Sequence, residues 1–284
     1  MKPLIGIIAD DLTGANDSGI HLTANGISTS VYLDVPKSEI DLSSGIVIDT
    51  NSRTLEKNSA KHITKRAGRF LQKVGCKYIY KKVDSTLRGH IGIELVALKD
   101  VLKPEFVIIA PAFPEYGRIT INGIHYLYGE KLTNTEVLMD PHFYERESNI
   151  INILSRVVKE PIWLLKKEHI DSNLISDKIK EFKNDGVKWL VSDAETEGDL
   201  KEVVAAITNI SNNVLWVGSA GLIKDLMENI KGKKVLNKSR LNNSFASQVI
   251  VVSGSFSKVS KSQIDYAIQY SNVSSIAIDI GDIL

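Results

Sequence analysis

The chain has one cysteine, Cys76, in 284 residues, which excludes an internal disulfide and fits a reducing, cytoplasmic compartment. Cys76 sits at the start of an apolar run and reads as a small buried hydrophobe. No apolar stretch approaches the ~18–20 residues of a membrane-spanning helix. The opening MKPLIGIIADD has too short an apolar run for a secretory leader, and acids follow at once. An excess of one charge is also missing. Lys plus Arg number 35 and Asp plus Glu 34, for a net charge of +1, which argues against a general nucleic-acid binder or a membrane-surface protein. The six histidines, at 21, 62, 90, 125, 142 and 169, lack metal-ligand spacing, so no metal site is expected. GxxxxGK[ST], GxGxxG after the first strand, and GxSxG are all absent. That removes the Walker loop, the dinucleotide fingerprint and the esterase elbow.

With 43% hydrophobic and 24% charged residues, the chain can bury a full core. Short apolar runs alternate with helical patterns. LIGIIAD (4–10), STSVYLD (28–34), GIVIDT (45–50), KYIYKKVD (77–84), EFVIIAP (105–111), PIWLLKK (161–167), VKWLVSD (187–193) and NVLWVGS (213–219) read as strands. This is the α/β pattern of a mostly parallel sheet flanked by helices. Residues 112–148 have weak periodicity and predict a long loop. Residues 231–247 are rich in Lys, Asn and Ser, and 236–247 read as a linker between a domain at 1–235 and the start of a second α/β domain at 248–284. That second unit reads as a strand in QVIVVSGSFS, a helix from about Lys258, and a strand in SSIAIDI. Fewer than 40 residues could not bury a core of their own, so it is expected to be truncated or docked.

In open α/β sheets, ligands sit at the carboxyl ends of the strands. Polar motifs cluster at four such ends: ADDLTGAND (9–17), DTNSR (49–53), KKVDSTLRGH (81–90) and APAFPEYGRITINGIHY (110–126). Asp10, Asp11, Thr13, Asp84 and Ser85 are also good helix caps, which is the plainer reading of any one motif. Arg53 and Arg88 can fork onto a carboxylate, Lys82 supplies a point charge, and Asp10, Asp11 or Asp84 can accept from hydroxyls. Convergence of Arg and Asp suits a small hydroxy acid. A surface ion pair is the plainer fate of Arg88. VGSAGL (217–222) and VSGSFS (252–257) follow apolar runs and precede helices, where backbone N–H groups can meet a phosphate. A tight strand-to-helix turn explains each equally well.

These motifs, in this order, resemble those of the four-carbon acid sugar kinases, from about Ile5 to about Gln263. The resemblance implies ATP-dependent phosphorylation, with Mg²⁺, of a threonate-, erythronate- or 3-oxo-tetronate-type acid. It implies an N-terminal acid-binding domain and a C-terminal nucleotide domain. Matching positions make Asp10, Asp11, Arg53, Lys82, Asp84, Ser85, Thr86 and Arg88 substrate-binding, with Arg53, alone or with Arg88 or Lys82, on the carboxylate and Asp84 or Asp11 catalytic. Gly254, Ser255 and Ser257 match the turn that touches ATP. The later glycine-rich nucleotide loop of the family has no counterpart before Leu284, so this chain is expected to carry mainly the substrate-binding portion. A homodimer is the default expectation for a soluble enzyme. The rival expectations are a non-catalytic sugar-acid-binding protein or partner subunit, and an aldolase or isomerase using Lys82 as a Schiff-base lysine.

Overall fold

The computed structural model describes residues 3–37, 43–171, 174–231, 249–254 and 258–278. The chain divides into two compact units, Met1–Asn237 and Lys238–Leu284. The first unit begins with β1 (Ile5–Ala9), α1 (Leu12–Ala24), β2 (Thr29–Tyr32), β3 (Gly45–Asp49), α2 (Lys57–Val74), β4 (Tyr78–Lys82), α3 (Ile91–Leu102) and β5 (Phe106–Ala110). An excursion follows with β6 (Arg118–Ile121), β7 (Ile124–Leu127) and β8 (Glu130–Lys131). Then come α4 (Ile150–Ser155), β9 (Ile162–Leu165), α5 (Lys167–Asp171), α6 (Ile175–Asn184), β10 (Trp189–Ser192), α7 (Glu197–Ile210), β11 (Val214–Gly218) and α8 (Ala220–Lys231).

Eight strands form one sheet in the order β2-β3-β1-β4-β11-β5-β10-β9, with every pairing parallel. The central strands β1, β3, β5 and β11 are buried along their whole length, which is why they read as unbroken apolar runs. The pleat sends their side chains into two cores. Ile7, Tyr80, Ile108 and Trp216 meet Leu22 of α1, Phe182 of α6, Val203 of α7 and Leu226 of α8. Ile8, Ile48, Val107 and Val217 meet Leu71 of α2, Leu95 of α3 and Ile153 of α4 on the other face. The helix after β1 and the helix after β4 therefore lie on opposite faces. A crevice opens between their strand ends, the usual ligand position in such sheets.

Two corrections concern the expected segments. Residues 112–148 are not one long loop. They hold the antiparallel meander β6-β7-β8. Asn122 and Gly123 both take positive φ, 52° and 73°, as a two-residue hairpin turn requires. The signal was present as Asn-Gly inside the alternating RITINGIHYL. Asp193, past the end of β10, accepts from the N–H groups of Asn122 and Gly123 at 3.0 and 2.8 Å and fixes the turn to the sheet. In the second unit, the described residues contain α9 (Lys258–Ala267) and no strand. Val249 to Val252 and Ile276 are at least 80% exposed. A strand needs a partner to form, and these runs pair with none among the described residues.

Successive side chains of a strand point to opposite faces, so the adjacent lysines of β4 part company. Lys81 is fully buried and meets the equally buried Glu94 of α3 at 2.9 Å. Lys82 faces α1. Replacing one member of a buried pair strands the other charge. We expect Glu94→Leu to cost about 3–5 kcal/mol. The double change Lys81→Met, Glu94→Leu should recover most of it. Urea unfolding measures both, and equal losses in the two proteins would contradict this account.

Candidate functional site

Asp11 is the N-cap of α1. Its backbone is extended, and its Oδ1 accepts from the Gly14 N–H at 2.9 Å. Asp10, 2% exposed, is not a cap. Its Oδ2 accepts from Arg53 Nε at 2.8 Å, and its buried Oδ1 has no hydrogen-bond partner among the described residues. Arg53 lies in a single 3-10 turn, Ser52–Thr54, whose N–H donates to the Asp10 carbonyl. Its guanidinium also meets Asp11 at 2.9 Å and Asp84 at 3.7 Å. Burial works against that charge, yet Asp10, Asp84 and Asp11 together raise the arginine above its ordinary value.

Asp84 does not cap a helix either. It builds its own turn by accepting from the Thr86 N–H at 3.1 Å and from the Thr86 hydroxyl. It also receives a two-armed fork from Arg88, at 2.8 and 2.9 Å. Burial alone would raise this carboxyl. Arg88, Arg53 and Thr86 outweigh it and hold Asp84 well below the usual carboxylate range. Leu87, next in the turn, is buried at φ 59°, a conformation a leucine adopts only when its surroundings impose it.

The excursion closes over this cluster. Asp140 takes Arg88 Nη1 at 3.0 Å, the Tyr144 hydroxyl donates to the Arg53 carbonyl at 3.0 Å, and the Gly89 N–H donates to the His142 carbonyl at 2.8 Å. His90 stacks on Tyr144 with ring centroids 4.2 Å apart. His125, in the segment expected as a long loop, lies fully buried in β7. Its Nε2 faces the Ser85 carbonyl at 3.0 Å, and its Nδ1 faces the Thr120 hydroxyl at 2.9 Å. A carbonyl only accepts, so Nε2 carries the proton and Nδ1 accepts. Burial pushes this imidazole down to about 4, which keeps it neutral.

Beside the cluster lies a cavity of about 670 Å³ at the carboxyl ends of β1, β4, β11 and β5. Asp17 and His21, one turn apart on α1, form one wall. Lys82 and Ser85 reach it from β4 and the turn beyond. Phe113, Glu115, Tyr116 and Arg118 come from the excursion, and Ser219, Lys224 and Glu228 from β11 and α8. Gly14 leaves the room that Lys82 uses. A Cβ there would stand 2.9 Å from Lys82 Nζ and 2.7 Å from Asp11 Oδ1.

Asp10, Asp11, Arg53, Asp84, Thr86 and Arg88 therefore form one ion-paired cluster, while Lys82 and Ser85 face the cavity. The VGSAGL segment borders the cavity at Ser219, but its turn is closely packed. The Ser219 hydroxyl donates to the Ala112 carbonyl at 3.1 Å, and a Cβ on Gly221 would lie 2.8 Å from the same oxygen. Gly254 is exposed and has open space around it, and Ser255 and Ser257 lie outside the described residues. Lys224 escapes a reading by motif, while Arg118 stands within the 110–126 motif without being singled out by it. Asp17 belongs to the first motif, and its helical spacing from Gly14 and His21 is the signal that places it on the cavity wall.

Residues 5–226 match the family model described as the sugar-binding N-terminal domain. The chain is 30% identical to a 3-oxo-tetronate kinase of Pseudomonas fluorescens, over 93% of this chain and 63% of that one. It is 29% identical to a D-threonate kinase of Salmonella typhimurium, over 96% and 63%. A D-erythronate kinase of Heliobacterium modesticaldum is 30% identical over 69% of this chain and 46% of its own. The chain thus spans less than two thirds of these curated relatives. The crystal structure of Haemophilus influenzae protein HI1011 superposes with a TM-score of 0.73 at 28% identity, over 81% of this chain and 57% of that one. A Bordetella bronchiseptica structure with bound citrate, a domain-swapped dimer, gives 0.72 at 26%, over 81% and 58%.

Asp84 also makes the cluster sensitive to acid. Its carboxyl is held below the ordinary value of 3.8. Its contribution is therefore complete above that value and is lost as pH falls toward the lowered one. Asp84→Asn should cost about 3–5 kcal/mol at neutral pH by leaving Arg88 and Arg53 short of a counter-charge. The gap to the parent protein should narrow as the pH drops below about 4. Thermal unfolding from neutral to acid pH follows it, and a gap independent of pH would remove Asp84 from this role.

Proposed function

We propose, since this chain belongs to the four-carbon acid sugar kinase family through its sugar-binding N-terminal domain, that its cavity binds a four-carbon sugar acid for phosphorylation of a hydroxyl. The observation that carries this reading is the cavity itself. It lies at the switch point of the sheet, is large enough for such an acid, and is lined by Lys82, Arg118, Asp17 and Ser85. Cations suit the carboxylate, and carboxylate and hydroxyl side chains suit the hydroxyls. The citrate bound in the Bordetella structure is a small hydroxy acid and supports the same class of ligand.

ATP with Mg²⁺ is the phosphoryl donor in this proposal. When bound, it supplies the transferred group and the charge neutralisation on which such reactions rest. Gly254, Ser255 and Ser257 are the residues of this chain proposed to meet it. Among the described residues no group of three or more His, Cys, Asp or Glu side chains is arranged to hold a metal ion. We therefore derive no step through Mg²⁺ from them.

This chain's own part is to bind and orient the acid. Asp84 and Asp11 already accept from Arg88, Thr86, Arg53 and Gly14, so they are better suited to fixing the loops than to taking a proton. The Asp17 carboxylate lines the cavity and has no side-chain hydrogen bond or ion pair among the described residues, so it is the carboxylate best placed to hold a ligand hydroxyl. The excursion shields one side of the cluster, where exclusion of water strengthens each polar contact.

Threonate, erythronate and 3-oxo-tetronate should each be tested by thermal shift. A true ligand at about 100 times its dissociation constant adds about 2.7 kcal/mol of stability. No shift with any of these acids would overturn the reading. Gly14→Ala supplies a sharper check. Alanine is the better helix former by about 1 kcal/mol, which offsets any weakening of the Asp11 cap. The variant should stay folded with near-parental stability and lose acid binding, because the new methyl displaces the Lys82 ammonium. Unchanged acid affinity would show that Gly14 and Lys82 do not border the ligand.

A further inference from the structure

Arg53 is the residue that family resemblance puts on the acid's carboxylate, but its guanidinium is already committed. Nε meets Asp10 at 2.8 Å, one Nη meets Asp11 at 2.9 Å, and the other lies 3.7 Å from Asp84. A ligand carboxylate arriving there would face three carboxylates within one shell. The cavity offers a different partner. Lys82 is 5% exposed, lines the cavity, and donates to one group only, the Val83 carbonyl at 3.1 Å. It forms no ion pair among the described residues.

We propose that the carboxylate of the bound acid sits on Lys82, with Arg118 as its second donor, and that Arg53 is a positioning residue which pins the surrounding loops. This inference rests on the sugar-acid reading above. A buried ammonium without a counter-ion is costly, so its position points to an anion that completes it. Arg118 also lines the cavity without an ion pair; its Nη1 donates to the Tyr116 carbonyl and the Tyr128 hydroxyl, while its buried Nε–H has no hydrogen-bond partner among the described residues. The other charges on the walls are already matched. Lys224 lies 3.8 Å from Glu115, and Glu228 lies 3.5 Å from Lys201. What is left unmatched is Lys82 and Arg118 against Asp17. That remainder fits one anionic group together with a hydroxyl for Asp17 to accept. A phosphate could satisfy the same cations, so the test separates the two sources.

The experiment is calorimetric titration of the 284-residue chain with D-threonate, D-erythronate, the neutral polyol erythritol and inorganic phosphate. The proteins are the parent, Lys82→Met and Lys82→Arg, each first shown to be folded by its thermal unfolding. Methionine keeps most of the buried stem and removes the charge. Lys82→Met should lose about 30-fold or more in acid affinity, the effect of deleting a charge-assisted hydrogen bond. Lys82→Arg should recover part of that loss. The parent's preference for the acid over erythritol should collapse in Lys82→Met, a change that a merely structural role would not produce. If Lys82→Met fails to fold, Arg118→Gln takes its place, with the acid-over-erythritol preference again expected to fall. A folded Lys82→Met that binds the acid within about threefold of the parent overturns the assignment. Phosphate binding that depends on Lys82, beside acid binding that does not, also overturns it and gives the site to a phosphate. If no acid binds the parent protein, the sugar-acid reading fails, and this assignment fails with it.

Discussion

The guanidinium of Arg53 is the contact on which the rest of the site depends. Two distant segments reach it, Asp10 and Asp11 after β1 and Asp84 after β4, and Tyr144 from the excursion holds the main-chain carbonyl of the same residue in its 3-10 turn. Each carboxylate would be expensive to bury alone. With the arginine among them, none is left without a counter-charge. These ion pairs hold the arrangement together before any ligand arrives. Its product is the position of the neighbouring side chains, above all Lys82 and Ser85, at the rim of the cavity.

Much of this was legible in the sequence. The central strands β1, β3, β5 and β11 were visible because a strand buried on both faces must be apolar throughout, and polar motifs marked four of the sheet's carboxyl ends. The grouping of ADDLTGAND, DTNSR and KKVDSTLRGH followed from the same rule. What the sequence hid was pairing. A motif shows that Asp84 and Arg53 come close, but not that Arg88, four residues on, takes both oxygens of Asp84. Capping was the natural reading of Asp10 and Asp84 because local propensity favours it. It held only for Asp11, since tertiary ion pairs are stronger than a cap and claimed the other two. The excursion was misread for a different reason. Its Asn-Gly turn was plain, but its strands are so short that apolar periodicity hardly registers.

Lys224 could not be found by motif, and Arg118, inside the 110–126 motif, carried no signal that singled it out. They lie on β6 and α8, and only the order β1-β4-β11-β5 brings those elements around one opening. The insertion of β11, last in sequence, between β4 and β5 is what closes the cavity. It places Ser219 and the first turn of α8 opposite α1. His125 was missed for a related reason. A buried neutral imidazole leaves no mark in composition. Its importance lies in one proton on Nε2, given to the carbonyl of Ser85 from a strand 40 residues away in the chain.

Charge matching then decides how the site is divided. Around Arg53 the protein has supplied its own carboxylates, and an acid ligand could enter only by displacing one of them. Around Lys82 it has supplied none. The separation begins with two successive lysines on one strand, which the pleat sends to opposite faces. Lys81 receives Glu94 and becomes part of the core. Lys82 receives only a main-chain oxygen and keeps donors to spare. Two identical side chains, one residue apart, thus differ in role because only one was given a partner.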